Sequence, residues 1–454
     1  MPTSPDTGSK PPEKSPQPRI IPRSKHSISR KNIDREALKV LYRLRDAGYL
    51  AYLVGGGVRD LYLGKTPKDF DISTDARPGQ IRKVFRNSRL IGRRFRLVQV
   101  FFHGGKIIEV STFRCRSEFE LNGDSSAREK VLAANNTFGT PSDDAFRRDL
   151  TINGLFYEIE NFTIIDYTDG VGDLEKGIIR FIGEPDKRIQ RDPARMMRVI
   201  RHAARNGFSI EPATWQAVLD HREKLKLCPI SRIRDELMKD LRGTACRDWA
   251  ELALESGIFF EIFPFYENIL RPPEGNEYRS LLLDIQAVVA RLHASRIILP
   301  DQSLFALILF PWATSEFDLT HKSSKGGQFH RFYKEIRTRL DEILGSMSIR
   351  RELKESIAMQ FALLPQFIRY AQEKNWPKWL KKKSYFRECD LFFRIFSEAA
   401  GNRNVPDSLA RERVTQLTKS TAANKNAKKR RSRKRKPPGP AFAGKKRGSI
   451  FGLK

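Results

Sequence analysis

The chain is short of several things that would otherwise narrow its chemistry. Its four cysteines, Cys115, Cys228, Cys246 and Cys389, lie far apart in 454 residues and form no Cys-x-x-Cys pair. That scatter argues against a zinc site or a disulfide framework and for free thiols in a reducing compartment, the cytoplasm. No apolar run approaches the length of a bilayer crossing, so no membrane partner is expected. No apolar h-region follows the N-terminus, so no secretory signal is expected either. Acidic side chains are scarce: 54 Asp and Glu stand against 84 Lys and Arg, a formal net charge of +30. An excess of that size calls for a polyanionic partner, most simply nucleic acid. No internal repeat is visible, and the length allows two or three domains, each with its own core.

What is present is concentrated in residues 53–74, LVGGGVRDLYLGKTPKDFDIST. Apolar Leu53 and Val54 run into Gly55, Gly56 and Gly57, and glycines let a backbone approach a ligand closely. Residues 58–63 can form a short helix whose first amides would face an anion. Asp69, Phe70, Asp71 and Ile72 then alternate polar and apolar as a strand does, which puts both carboxylates on one face. Two adjacent carboxylates repel unless a cation lies between them. Three glycines alone are often only a loop, and Asp-x-Asp alone is often a solvated strand edge. In this order and spacing they point to metal-assisted nucleotidyl transfer, with Mg²⁺ on Asp69 and Asp71.

The remaining chain organises around that unit. Residues 1–33, rich in Pro, Ser and Lys, read as a disordered tail. Asp34 is a helix N-cap ahead of an apolar stripe, Ala37, Leu38, Leu41, Leu44 and Ala47, that Gly48 ends. Residues 78–85 read as a covering helix, and residues 90–102 and 106–113 each contain a strand. Glu109 lies on the second of these, either as a third acid near Asp69 and Asp71 or in a salt bridge with Arg114 or another base. Residues 115–136 read as a mobile loop over the site. In residues 143–157, DDAFRRDLTINGLFY, Arg147, Arg148 and Asp149 precede what reads as an apolar helix. They form either a surface ion-pair cluster or a grip on phosphates, with Asp149 toward metal or ribose.

Asp192 and Pro193 then read as the N-cap and first residue of a helix over residues 191–208, with Arg195 on the face of Asp192. The plain reading is a cap and its partner; the sharper one is base recognition. An Asp accepts and an Arg donates, whereas adenine and cytosine each offer an amino donor beside a ring-nitrogen acceptor. Uracil and guanine offer the reverse. One Asp/Arg pair therefore selects A and C without separating them. The pattern from residue 210 to about 412 is helical, with most aromatics assigned to core. The run NAKKRRSRKRKPP and the later GKKRG contain no acid and read as a disordered polybasic tail that binds phosphate backbone without sequence preference.

The motifs GGGVRD and DFD, joined by AYLVGGGVRD, KDFDIST, GRRFRL, EVSTFR, FRRDLTIN and DPARMMR, resemble the nucleotidyltransferase superfamily. In detail they are similar to the class that holds bacterial poly(A) polymerases and CCA-adding enzymes. The resemblance implies an α+β fold: a polymerase-β-like head (residues 34–183), a mixed sheet with helices, then an all-α neck (184–245) and body (246–412). The C-terminal tail takes up residues 413–454. It implies ATP as donor and an RNA 3′ end as acceptor, in a monomer. Carried over by position, Asp69 and Asp71 match the metal-binding pair and Asp149 the third catalytic aspartate. Gly55, Gly56 and Arg59 match the triphosphate-binding turn; Arg148, Asn153, Asp192 and Arg195 match the nucleotide pocket. GRRFRL and the basic tail favour poly(A) addition over CCA addition to tRNA, the nearer alternative. The other alternative, a non-catalytic RNA-binding protein on a dead transferase head, needs a lost carboxylate, and the Asp69/Asp71 pair is intact. One departure stands out. The family has Glu-Asp ahead of the neck helix, where this chain has Arg191-Asp192. Glu184 and Asp186 are the nearby acids able to stand in for that Glu.

Overall fold

The computed structural model describes residues 17–92, 97–115, 138–319 and 326–401. The centre of GRRFRL, nearly all of the expected loop over the site and the polybasic run lie outside the described residues. Residues 17–33, expected to be disordered, are instead built into the head. Arg19–Ile21 forms strand β1, antiparallel to Ile164–Asp166. Ile21, Ile28 and Ile33 are buried in the main core, and the His26 ring lies 2.8 Å from the Phe162 carbonyl. Composition misleads here because it asks whether a segment can fold alone. A few isoleucines suffice to lay a short segment against a sheet that already exists.

Helix α1 (Arg35–Asp46) starts as its cap predicts: Asp34 Oδ1 accepts from the backbone N–H groups of Glu36 and Ala37 at 2.9 and 3.2 Å. Its stripe, Ala37, Leu41 and Leu44 with Val40, is fully buried. Strand β2 (Ala51–Val54), all buried, leads into α2 (Gly56–Tyr62) and then β3 (Asp71–Thr74). After α3 (Pro78–Val84) come β4 (Ser88–Ile91), β5 (Leu97–Phe101) and β6 (Ile107–Thr112). Helix α4 (Pro141–Phe146) precedes β7 (Leu155–Glu158) and β8 (Ile164–Asp166). The sheet runs β1-β8-β7-β2-β3-β6-β5-β4. It is mixed because β3 and β6 pair in parallel, which sets Asp71 in register with Glu109. The apolar stretch after Asp149, expected to be a helix, is a 3-10 turn (Thr151–Asn153) followed by β7. A four-residue element is too short for periodicity to separate a strand from a helix, and the neighbouring strands decide. Helix α5 (Gly170–Lys176) closes the head.

The neck begins with α6 (Pro185–Arg191) and α7 (Arg195–Asn206). Asp192, expected as an N-cap, is the residue that ends α6, with φ −156° and ψ 88°. A residue before proline is pushed out of the helical region, so Pro193 breaks the helix one residue upstream of itself. The pair Ile178–Ile179 and Ser209–Ile210, two short parallel strands, staples head to neck. Beyond α8 (Pro212–His221), α9 (Ile230–Leu241) lies against α7. Between them Arg201 is gripped by Glu236 and Asp240, its Nη2 donating to the Glu236 carbonyl at 2.9 Å.

From Cys246 to Ala399 the described residues form a helical body. Its centre is aromatic: Tyr266, Phe259, Phe310, Trp312 and Phe361 are all buried. The Tyr266 hydroxyl donates to the Ile308 carbonyl at 2.6 Å and accepts from the Trp312 N–H at 3.1 Å. It thereby satisfies backbone groups beside Pro311, which sits inside the helix Asp301–Glu316. Among the described residues, no helix is long and apolar enough to cross a membrane.

Because Ile28 is fully buried, Ile28→Ala is expected to lower head stability by about 2–4 kcal/mol. Urea unfolding of the head, followed by circular dichroism and by the protection of its β-strand amides from hydrogen exchange, measures this, and an unchanged midpoint would mean the N-terminal segment contributes nothing to the head.

Candidate active site

A cleft of about 910 Å³ opens between the head sheet and the neck. One wall carries carboxylates and the rest is lined mainly by arginines. The glycine turn supplies its floor. Gly55 has φ +67°, a left-handed conformation that side chains resist, and a Cβ there would come within 2.9 Å of Arg148 Nη1. The Gly55 N–H is already used, donating to the Leu155 carbonyl at 3.1 Å. Any anion must therefore be met by the amides that follow it, at the start of α2.

Asp71 opens β3. Asp69 lies in the segment leading into it, so the expected strand starts two residues late. Both are exposed and line the cleft, with Glu109 beside Asp71 in register on β6. Glu109 Oε1 accepts from Gln99 Nε2 at 3.0 Å. Burial raises the affinity of Asp71 for a proton; Glu109 and Asp69 push the same way, and only Arg148 opposes them. The side chain is open to solvent at its tip but crowded by protein below, so it loses hydration without gaining a matching cation. Among the described residues, no three His, Cys, Asp or Glu side chains form a ready-made metal cage. The donors present are hard carboxylate oxygens under mutual repulsion. That set suits Mg²⁺, which keeps several waters and is commonly held by one or two carboxylates plus substrate phosphates.

The arginine side is anchored by a residue that sequence reasoning missed. Asp144, on α4 and fully buried, takes Arg147 Nε at 2.6 Å and Arg148 Nη2 at 2.9 Å. Burial disfavours its charge, yet the two guanidinium groups hold its carboxyl below the usual range. Arg148 also lies 5.4 Å above the Phe156 ring. One buried carboxylate thus fixes two cations and leaves their excess charge facing the cleft. Arg114 lines the cleft too, and burial together with Arg147 pushes its guanidinium down to about 10. Cations this crowded favour a polyanion.

Asp149 is buried; its Oδ1 is hydrogen-bonded, while Oδ2 meets a cation but no hydrogen-bond donor in good geometry. Oδ2 pairs with Arg198 Nη1 at 2.7 Å, and Oδ1 accepts from Asn153 Nδ2 and from the Leu150 N–H at 3.1 and 2.9 Å. Burial disfavours its charge, but Arg198 and these donors prevail and hold the carboxyl far below the usual range. Asn153 Oδ1 in turn accepts from Arg59 Nη1 at 2.7 Å, and Asp60 takes the other side of that guanidinium at 2.7 and 2.9 Å. His202 Nδ1 lies 3.2 Å from Arg59 Nη1. Arginine can only donate, so Nδ1 is the acceptor and the proton of this imidazole is on Nε2. Burial and Arg59 keep it neutral.

At the neck end, Asp192 Oδ2 is 2.6 Å from Arg232 Nη2 and 3.8 Å from Arg195 Nε. Arg195 Nη1 donates to the Arg188 carbonyl at 3.3 Å. Neither acid considered as a substitute for the family Glu serves Arg195: Glu184 pairs with Lys187 at 2.9 Å and Asp186 with His221 at 2.8 Å. The cleft therefore gathers every residue singled out in the sequence: Gly55, Gly56, Arg59, Asp69, Asp71, Glu109, Arg148, Asp149, Asn153, Asp192 and Arg195. Sequence reasoning missed Asp144, Arg198, His202 and Arg232. Arg198, His202 and Arg205 follow Arg195 at helical spacing, a signal that was available. Nothing local marks Arg232.

The family model described as the poly A polymerase head domain matches residues 51–180. A second, described as a probable RNA and SrmB-binding site of polymerase A, matches residues 207–270. The poly(A) polymerase I of Escherichia coli O6:H1 is 40% identical over 347 residues, 74% of this chain and 73% of that protein. A CCA-adding enzyme of Lactobacillus johnsonii is 37% identical over 243 residues, 53% of this chain and 59% of that one. In fold, the chain is similar to the crystal structure of the Bacillus stearothermophilus CCA-adding enzyme in complex with CTP. That match has a TM-score of 0.61 at 23% identity and covers 85% of this chain and 82% of that one. With a relative that similar over nearly three quarters of its length, the chain belongs to the nucleotidyltransferase family of bacterial poly(A) polymerase I and the CCA-adding enzymes.

Proposed function

We propose that the protein is a template-independent adenylyltransferase that adds AMP from ATP to RNA 3′ ends. The observation that carries this reading is the pairing of walls in one cleft: repelling carboxylates at Asp69, Asp71 and Glu109 face an arginine wall set by Asp144. A triphosphate with its divalent cation complements both. The poly(A) side of the family is supported by the E. coli relative, whose match spans more of this chain than that of the CCA-adding enzyme. The basic run at the C-terminus adds to it.

In this reading the acceptor 3′-hydroxyl attacks the α-phosphorus of ATP, forming one P–O bond and breaking another, and pyrophosphate leaves. Mg²⁺ held by Asp69 and Asp71, with Glu109 alongside, would supply charge neutralisation and make the hydroxyl more acidic. The rest is positioning by this chain's own groups. Arg148 and Arg147, braced on Asp144, meet phosphate oxygens, with Arg148 admitted close to the turn because residue 55 has no side chain. Arg59 is held rigid by Asp60 and Asn153. Asp149, the third catalytic aspartate of this reading, also fixes Asn153 through Oδ1 and pairs Arg198 through Oδ2. Asp192 and Arg195 read the base.

Asp71→Asn is expected to lower incorporation about a thousandfold, the scale of a lost metal contact. The same change removes a repelled carboxylate, so the melting temperature should stay level or rise. Near-normal incorporation at saturating Mg²⁺ would remove Asp71 from the metal site. The activity itself is checked with two acceptors, an unstructured RNA and a tRNA lacking its 3′ end, each given ATP, CTP or both. Long ATP-only extension of the unstructured RNA is expected. Addition that needs CTP, prefers the tRNA and stops after CCA would assign the CCA-adding activity instead. Removing the residues after Leu417 should weaken RNA binding and flatten its dependence on salt, because fewer phosphate-bound counterions are released. An unchanged slope would leave that segment no part in RNA capture.

A further inference from the structure

Asp192 and Arg195 carry opposite charges three residues apart. Left to themselves, such a pair closes into a direct salt bridge and uses up the acceptor and donor that a base would need. Here they meet only as a long ion pair, without a hydrogen bond. Arg232 Nη2, from the first turn of α9, sits 2.6 Å from Asp192 Oδ2, while Arg195 Nε stays 3.8 Å away. Arg195 Nη1 is drawn the other way, to the Arg188 carbonyl. Asp192 Oδ1 is covered by protein, on a residue that lines the cleft, and meets no hydrogen-bond donor. An oxygen in that state is costly unless a ligand completes it.

Arg232 is held in place as well. Arg232, Glu236 and Asp240 recur every four residues and so share one face of α9. Glu236 and Asp240 both grip Arg201 of α7, and Arg232 reaches Asp192 just ahead of α7. The same row of ion pairs that fixes α9 against α7 therefore sets where the Arg232 guanidinium ends.

We propose that Arg232 is a specificity-determining positioning residue. By holding Asp192 Oδ2 it keeps Asp192 and Arg195 from closing into a hydrogen-bonded pair, and it leaves Asp192 Oδ1 and the Arg195 guanidinium unspent on each other, for a base with an amino donor beside a ring-nitrogen acceptor. This rests on the nucleotide-transfer reading above. Without Arg232, Asp192 turns onto Arg195, both reading groups become satisfied internally, and preference among bases falls.

The test is steady-state incorporation of ATP, CTP, GTP and UTP into unstructured RNA by the full chain, by Arg232→Ala and by Arg232→Lys, with thermal midpoints for all three. Arg232→Ala is expected to raise KM for ATP about tenfold, the scale of one charged hydrogen bond, with a smaller change in kcat. The ratio of kcat/KM for ATP over GTP should fall by a similar factor while the midpoint moves little. Arg232→Lys should recover most of that ratio, because an ammonium still holds one carboxylate oxygen. An unchanged ratio in Arg232→Ala overturns the proposal. An equal loss for all four nucleotides, with a lowered midpoint and no rescue by lysine, overturns it in favour of a purely structural role. If the unaltered chain incorporates no nucleotide at all, the transfer reading fails first, an outcome distinct from an active chain with an indifferent variant.

Discussion

The contact on which the cleft depends is the ion pair between buried Asp149 and half-exposed Arg198. Asp149 belongs to the head, at the turn before β7, and Arg198 to the neck helix α7. The head alone offers an open edge with carboxylates and the arginines braced on Asp144, and α7 adds a row of cations. Joined at 2.7 Å, they enclose a space that holds charge of both signs. A pair with one buried partner is a weak source of net stability, since desolvation cancels much of the attraction. Its value is geometric: Asp149, buried, would be strongly unfavourable without a cation, which favours head–neck arrangements that bring Arg198 to it.

Both walls are frustrated in the absence of a ligand, in opposite senses. Parallel pairing of β3 with β6 forces Asp71 and Glu109 into the same register position, and burial, with Glu109 adding to it, makes Asp71 hold a proton more tightly than an ordinary aspartate. In the same cleft, burial beside Arg147 and Arg148 makes Arg114 give up its proton more readily than an ordinary arginine. Stability alone calls for neither cluster. That both persist in one cleft is what a site for a highly charged substrate requires, because strain in the free protein is relieved on binding.

Much of this was legible in the sequence where physics is local. The Asp34 cap, the turn at Gly55, the helix after Pro78 and the strand ending at Thr112 follow from side chains a few residues apart. The misreadings share a cause. The isoleucines of the N-terminal segment, the apolar stretch after Asp149 and the role of Asp192 were all decided by partners far along the chain: the β8 edge, the flanking strands and Arg232. Asp144 is the sharpest case. In DDAFRRD its neighbour Asp143 looks equivalent, yet Asp143 caps α4 through Thr140 while Asp144 is fully buried beneath two arginines. Helical spacing alone separates them, since Arg147 and Arg148 lie three and four residues on from Asp144.

The arginine at position 191, where the family has a glutamate, bears on how the base is read. A glutamate there would supply a negative partner near Arg195 from the preceding residue of the chain. In this protein that help is missing locally, and Glu184 and Asp186 are committed to Lys187 and His221. What orders the pair instead is a backbone carbonyl on one side, at Arg188, and a cation on the other, at Arg232. Control has moved from the donor of the pair to its acceptor: Asp192 is fixed, and Arg195 is held off it. On the role proposed for Arg232, base choice in this protein depends not only on which residue touches the base but on which one keeps the two readers from closing on each other.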